Sequence, residues 1–146
     1  MNVNGACLCG HITFSAVIDP DKVIVCHCTD CQRHAATAFG VVVRVVDEQF
    51  ELHTGTMKTY VKTAESGTKR ALTFCPECGT RIYAKTVGEG MQFTGLRTGT
   101  LEQCAELVPS AQVYYRSSQP WIDRLNDIPA HESNLASGLV STDKNA

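Results

Sequence analysis

Seven of the eight cysteines stand in three tight groups: Cys7-Leu8-Cys9-Gly10, Cys26-His27-Cys28-Thr29-Asp30-Cys31 and Cys75-Pro76-Glu77-Cys78-Gly79. Clustered thiolates are soft ligands, and zinc is the common ion that they hold. The third group is the most specific. Two cysteines separated by two residues, with Pro76 between them and Gly79 just after, form a knuckle. Its turn aims backbone N–H groups at the sulfurs, and glycine supplies the positive φ. The rival reading is a redox dithiol, but that motif opens a helix within a βαβ unit. The residues on either side of Cys75 and Cys78 read instead as strands.

A knuckle provides two ligands, whereas a closed tetrahedral site needs four. If Cys7 and Cys9 complete it, Cys26, Cys28 and Cys31 remain as a trio with an open fourth position. Four thiolates quench the Lewis acidity of zinc; three leave a net charge of about −1 and room for an incoming thiol to bind as thiolate. Alternatively, His27 completes the trio and makes a second structural site. Its ring lies between two ligands in sequence and would struggle to reach the same ion. Cysteine arithmetic alone leaves this partition open.

The elements that must position these groups are mainly strands. Residues 11–18 alternate and are rich in branched and aromatic side chains, ending at Asp19-Pro20. Residues 23–25 run apolar into Cys26, and 39–46 carry a valine run. Residues 50–53 and 57–62 read as two strands joined by a turn at Thr54-Gly55. Residues 70–74 lead into Cys75, 81–85 leave after Gly79, and 91–96 and 111–115 complete the set. Helix is expected only at 32–36 and at 119–126, where Pro120 suits a first turn and Trp121, Ile122 and Leu125 would share a face. Trp121, Phe39, Phe74 and Tyr83 are assigned to the core.

With 146 residues, 43% hydrophobic and 19% charged, the chain forms one domain over 1–130 and a flexible tail over 131–146. The formal net charge is −2 and basic residues are scattered, which argues against a nucleic-acid partner. No run is apolar enough to span a bilayer, and the N-terminus lacks the pattern of a secretory signal. A cytoplasmic location follows as an expectation, and there thiols serve as ligands more often than as disulfides.

The ordered combination resembles one known family. It comprises Gly5-x-Cys7-x-Cys9-Gly10-x-Ile12-x-Phe14, Cys26-His27-Cys28-x-x-Cys31-Gln32-Arg33, Gly55 with Tyr60, Phe74-Cys75-Pro76-x-Cys78-Gly79-Thr80 and Gly99-Thr100-Leu101. Together these resemble the glutathione-dependent formaldehyde-activating enzymes, a family that also includes centromere protein V. The resemblance runs from about Gly5 to Trp121. It implies a β-tent-like fold of antiparallel sheets and two zinc ions. The structural ion would sit on Cys7, Cys9, Cys75 and Cys78, and the catalytic ion on Cys26, Cys28 and Cys31. Residues 34–37 depart from the family in lacking a glycine, and Cys104 lies outside the pattern.

The family's reaction joins glutathione to formaldehyde, giving S-hydroxymethylglutathione, and is classed with the carbon–sulfur lyases. On this resemblance glutathione and an aldehyde are the expected small-molecule partners. His27 is the candidate to relay a proton or to hydrogen-bond a cluster sulfur. Arg33 is the candidate to meet a substrate carboxylate. Two rival classes are a glutathione carrier without turnover and a zinc-stabilised interaction module.

Overall fold

A computed structural model describes residues 1–133, so the expected tail lies, from residue 134 on, outside the described residues. Eight strands occur among the described residues: β1 (Asn2–Ala6), β2 (Thr13–Cys26), β3 (Gly40–Thr54), β4 (Lys58–Thr63), β5 (Lys69–Phe74), β6 (Arg81–Val87), β7 (Thr94–Arg97) and β8 (Ala111–Val113). They form one sheet in the order β1-β2-β3-β7-β6-β5-β4, with β8 beside β2. Every pairing is antiparallel except that of β8 with β2. One short α-helix, α1 (Thr29–Ala35), follows β2. The protein is thus mainly β, as its residue pattern implies. Among the described residues no helix is long and apolar enough to cross a membrane.

Two expected strand ends are bulges instead. Pro20 lies inside β2, where the register with β3 jumps from Asp19↔Arg44 to Val23↔Val43. The residues between have no β3 partner, so the missing N–H of proline costs no ladder bond. On β3 the register jumps from Phe50↔Ala16 to Val45↔Ile18, and Asp47 and Glu48 take positive φ of 46° and 56°. The extra residues loop out, and the two expected strands become one. β3 leads into β4 across Gly55, but β4 pairs with β5 at the far edge, so the expected turn joins neighbours in sequence only. The strand β1 has no counterpart in the sequence reading.

The core follows from the alternation along β2, where Phe14, Ala16 and Ile18 point inward. They join Val3, Ile12, Val23, Val43, Ile82 and Leu96 in one cluster. Burying each large apolar side chain there contributes about 1.5–3 kcal/mol. Phe50 packs against this cluster, with its ring 5.0 Å from Phe14 and 5.0 Å from Tyr83. Phe39, Phe74 and Tyr83 are half-buried, whereas Trp121 is 45% exposed and stands outside the core. The expected helix at 119–126 is a 3₁₀ segment, Ile122–Asp127. At three residues per turn Ile122 and Leu125 still share a side, but Trp121 is rotated away from them.

Candidate metal centres and the cleft beside them

Cys7 follows β1 and Cys75 follows β5, and the structure brings Cys7, Cys9, Cys75 and Cys78 together with all four sulfurs within 4.8 Å of one another. Around one ion at Zn–S of about 2.3 Å, tetrahedral sulfurs lie about 3.8 Å apart. The Sγ atoms of Cys7 and Cys9 are 3.5 Å apart and those of Cys9 and Cys75 are 3.9 Å apart. This donor set fits a closed tetrahedral metal site.

Local hydrogen bonds shape it. The N–H of Gly79 donates to the Cys75 carbonyl at 2.9 Å, and Gly79 has φ +74°, a conformation that side chains with a Cβ rarely adopt. The Ile12 N–H donates to Cys7 Sγ at 3.1 Å. Thr80 links both halves: its hydroxyl oxygen accepts from Leu8 N–H at 3.1 Å and lies 3.1 Å from Cys78 Sγ. With no metal bound, that hydroxyl, together with the N–H groups of Thr80 and Cys9, holds the Cys78 thiol down to about 5.

Cys26, Cys28 and Cys31 form the second cluster, also within 4.8 Å of one another. Cys26 ends β2, Cys28 caps α1 and Cys31 lies in its first turn. The Cys31 N–H donates to Cys28 Sγ at 3.3 Å. The neighbouring Cys26 thiol draws the Cys31 thiol down to about 5 against the opposing effect of burial; Cys28 and the charges of Arg97 and Lys62 assist. Cys26 is pushed up correspondingly by Cys31 and by burial. The two clusters contain seven different cysteines: among the described residues, Cys7 and Cys9 lie with Cys75 and Cys78, and Cys26, Cys28 and Cys31 lie together apart from them.

The trio lines a cleft of about 840 Å³, together with side chains from β3, β5, β6 and β7. Such a volume suits a small organic ligand. Lys62, Arg70 and Arg97 supply its cations, and Met91 and Phe93 part of its apolar wall. None of the four knuckle-site cysteines faces this cleft.

His27 and Arg33 stand apart from it. His27 is fully buried, its ring edge-on to Phe39 and Tyr115. Its Nε2 is 2.7 Å from Gln112 Oε1, an acceptor, so Nε2 carries the proton. Its Nδ1 has no hydrogen-bond partner among the described residues. Arg33 is exposed on α1 and does not line the cleft. Cys104 is exposed and belongs to neither cluster.

Sequence reasoning misses the residues that hold the trio in place. Gln32 donates from Nε2 to the carbonyls of His27, at 2.6 Å, and Ser117, at 2.7 Å, while its Oε1 accepts from Gln119 at 2.7 Å. Lys62 pairs with Asp30 on α1. Arg70 is held by Thr86, the Phe93 carbonyl and the Ala84 carbonyl. A glutamine directly after a ligand offers one local signal; the cations lie far away in sequence and offer none.

Comparison with known proteins agrees with this geometry. The fold is similar to that of a Rhodobacter sphaeroides protein known from its crystal structure, with a TM-score of 0.59 and 16% identity. The likeness covers 77% of this chain and 100% of that one. No curated protein matches. The glutathione-dependent formaldehyde-activating enzyme family matches residues 2–117, a span that takes in both cysteine clusters. With that match over most of its length, the chain belongs to the glutathione-dependent formaldehyde-activating enzyme family.

Proposed function

We propose that this protein is a zinc-dependent enzyme of the carbon–sulfur lyase type, acting on glutathione or a related thiol and on formaldehyde or a related aldehyde. One observation carries the reading. Four thiols are closed off from the cleft, whereas three line it with space for a ligand. Cys7, Cys9, Cys75 and Cys78 would hold a structural zinc, and Cys26, Cys28 and Cys31 a working one. A zinc ion on the trio would supply positive charge that lowers the pKa of a thiol and polarises an oxygen.

The chain's own residues do the rest. Gln32 fixes the trio's loop through its bonds to His27 and Ser117. His27, anchored by Gln112, would orient that loop from behind. The charges of Lys62 and Arg97 favour thiolate at the trio. The cleft walls would bring the two reactants together and limit water. In the addition, the thiolate sulfur gives its pair to the carbonyl carbon, the C=O pair moves onto oxygen, and that oxygen takes a proton from solvent. A reducing cytoplasm would keep the thiols available.

The test follows adduct formation from glutathione and formaldehyde by NMR exchange, with zinc-loaded protein, the Cys28→Ser variant and buffer alone. Acceleration over buffer that disappears in Cys28→Ser supports the proposal. A rate equal to the spontaneous one, with glutathione still bound, replaces it with a carrier.

A further inference from the structure

Arg97 ends β7, and its guanidinium reaches Gly40 at the start of β3, beside the trio. A Cβ placed on Gly40 would lie 2.3 Å from Arg97 Nη1 and 3.7 Å from Cys31 Cβ, so the guanidinium and Cys31 meet over one bare glycine. The other cations of the cleft are committed. Lys62 pairs with Asp30, and Arg70 donates three hydrogen bonds to Thr86, Phe93 and Ala84. Of the acids lining the cleft, Glu65 pairs with Arg116, and none of them pairs with Arg97. Arg97 Nη1 is shut off from solvent and has no hydrogen-bond partner among the described residues. Its Nη2 makes only a long 3.5 Å approach to His34 Nδ1.

A buried guanidinium N–H without an acceptor disfavours the folded state. Arg81 Nη1 lacks a partner in the same way but does not line the cleft, so it is the place of Arg97 in the cleft wall, with no acid paired to it, that offers its guanidinium to an acceptor on a ligand. The planar fork matches a carboxylate, which can accept two parallel N–H bonds. We propose that Arg97 forms an anion subsite beside the trio, which takes a carboxylate of the molecule that reaches Cys26, Cys28 and Cys31. The inference deepens the proposed function, since it rests on a ligand entering this cleft. Gly40 is the structural condition for it, because any side chain there displaces the guanidinium.

Two alkylating reagents of similar size test the subsite. Iodoacetate carries a carboxylate and iodoacetamide does not; with each, a cysteine sulfur forms a C–S bond and iodide leaves. The metal-loaded protein is treated with each reagent, and modification of Cys26, Cys28 and Cys31 is mapped by mass spectrometry over time. The ratio of iodoacetate to iodoacetamide rates is expected to fall about tenfold in Arg97→Met, the scale of one charge-assisted hydrogen bond. Arg97→Lys restores part of the ratio. Gly40→Ala lowers it while keeping the fold, because the added Cβ meets the flexible tip of Arg97. A wild-type ratio in both Arg97→Met and Gly40→Ala overturns the inference, and Gly40→Ala decides alone if Arg97→Met does not fold. The outcomes also separate the two claims. If no thiol binds but the ratio still depends on Arg97, the proposed function fails and the subsite stands. Thiol binding with a ratio indifferent to Arg97 does the reverse.

Discussion

The Sγ atoms of Cys9 and Cys75 lie 3.9 Å apart, although β1 and β5, which precede them, are five steps apart in the sheet. In a flat sheet those steps would span about 24 Å, at about 4.8 Å each. The sheet must therefore curl until its separated parts meet, and the four-cysteine cluster closes the curl. An isolated bridge between Gly5 and Leu101 reinforces it on the same side.

Loss of that closure unfolds the domain. A structural zinc held there would contribute about 10–16 kcal/mol, as much as the whole stability of an ordinary domain, about 5–15 kcal/mol. Cys75→Ser is expected to abolish the cooperative thermal transition seen by circular dichroism. Cys28→Ser, at the trio, keeps a cooperative transition and loses one metal equivalent by elemental analysis.

Thr80 serves the knuckle with one hydroxyl that meets Leu8 N–H and Cys78 Sγ. Thr80→Val preserves shape and removes both bonds. Stability should fall by about 1–3 kcal/mol. Affinity for zinc at this four-cysteine cluster should fall about 10–100-fold, measured by chelator competition. An unchanged affinity would mean that Thr80 acts only through packing.

Gln32 ties the trio's helix to the segment around Ser117 and Gln119 by two hydrogen bonds and to the His27 carbonyl by a third. Gln32→Leu leaves the His27 and Ser117 carbonyls without this donor. A loss of about 2–4 kcal/mol is expected in denaturant unfolding. Hydrogen exchange should quicken in α1 and around residue 117 and stay as in the wild type in β5 and β6.

Trp121 and Phe14 give opposite outcomes. Phe14 is 1% exposed at the centre of the core, and Phe14→Ala should cost about 3–5 kcal/mol. Trp121 is 45% exposed, and Trp121→Phe should change stability by less than about 0.5 kcal/mol. Chemical denaturation of the two variants checks both.

The cysteine clusters were legible because their chemistry is local: spacing, Pro76 and Gly79 mark the knuckle without any knowledge of the fold. Alternation along residues 11–18 marks the strand that supplies Phe14 and Ile18 to the core. Breaks inside strands were not legible, since Asp19-Pro20 and Asp47-Glu48 look like turns and become bulges only when a partner strand continues past them. Trp121 misled because a 3₁₀ segment and an α-helix divide the same residues differently. Lys62, Arg70 and Arg97 were invisible because three separate strands deliver them to one cleft, and only the sheet order brings them beside the trio.

Cobalt absorption tests the central claim most directly, because cobalt(II) takes the place of zinc in thiolate sites and its colour reports ligand number. Protein loaded with cobalt at the trio is titrated with glutathione. The account predicts a saturable rise in sulfur-to-cobalt charge-transfer absorption as an outside thiol joins Cys26, Cys28 and Cys31. A spectrum that stays fixed at high glutathione, already showing a site closed by protein ligands, would contradict it.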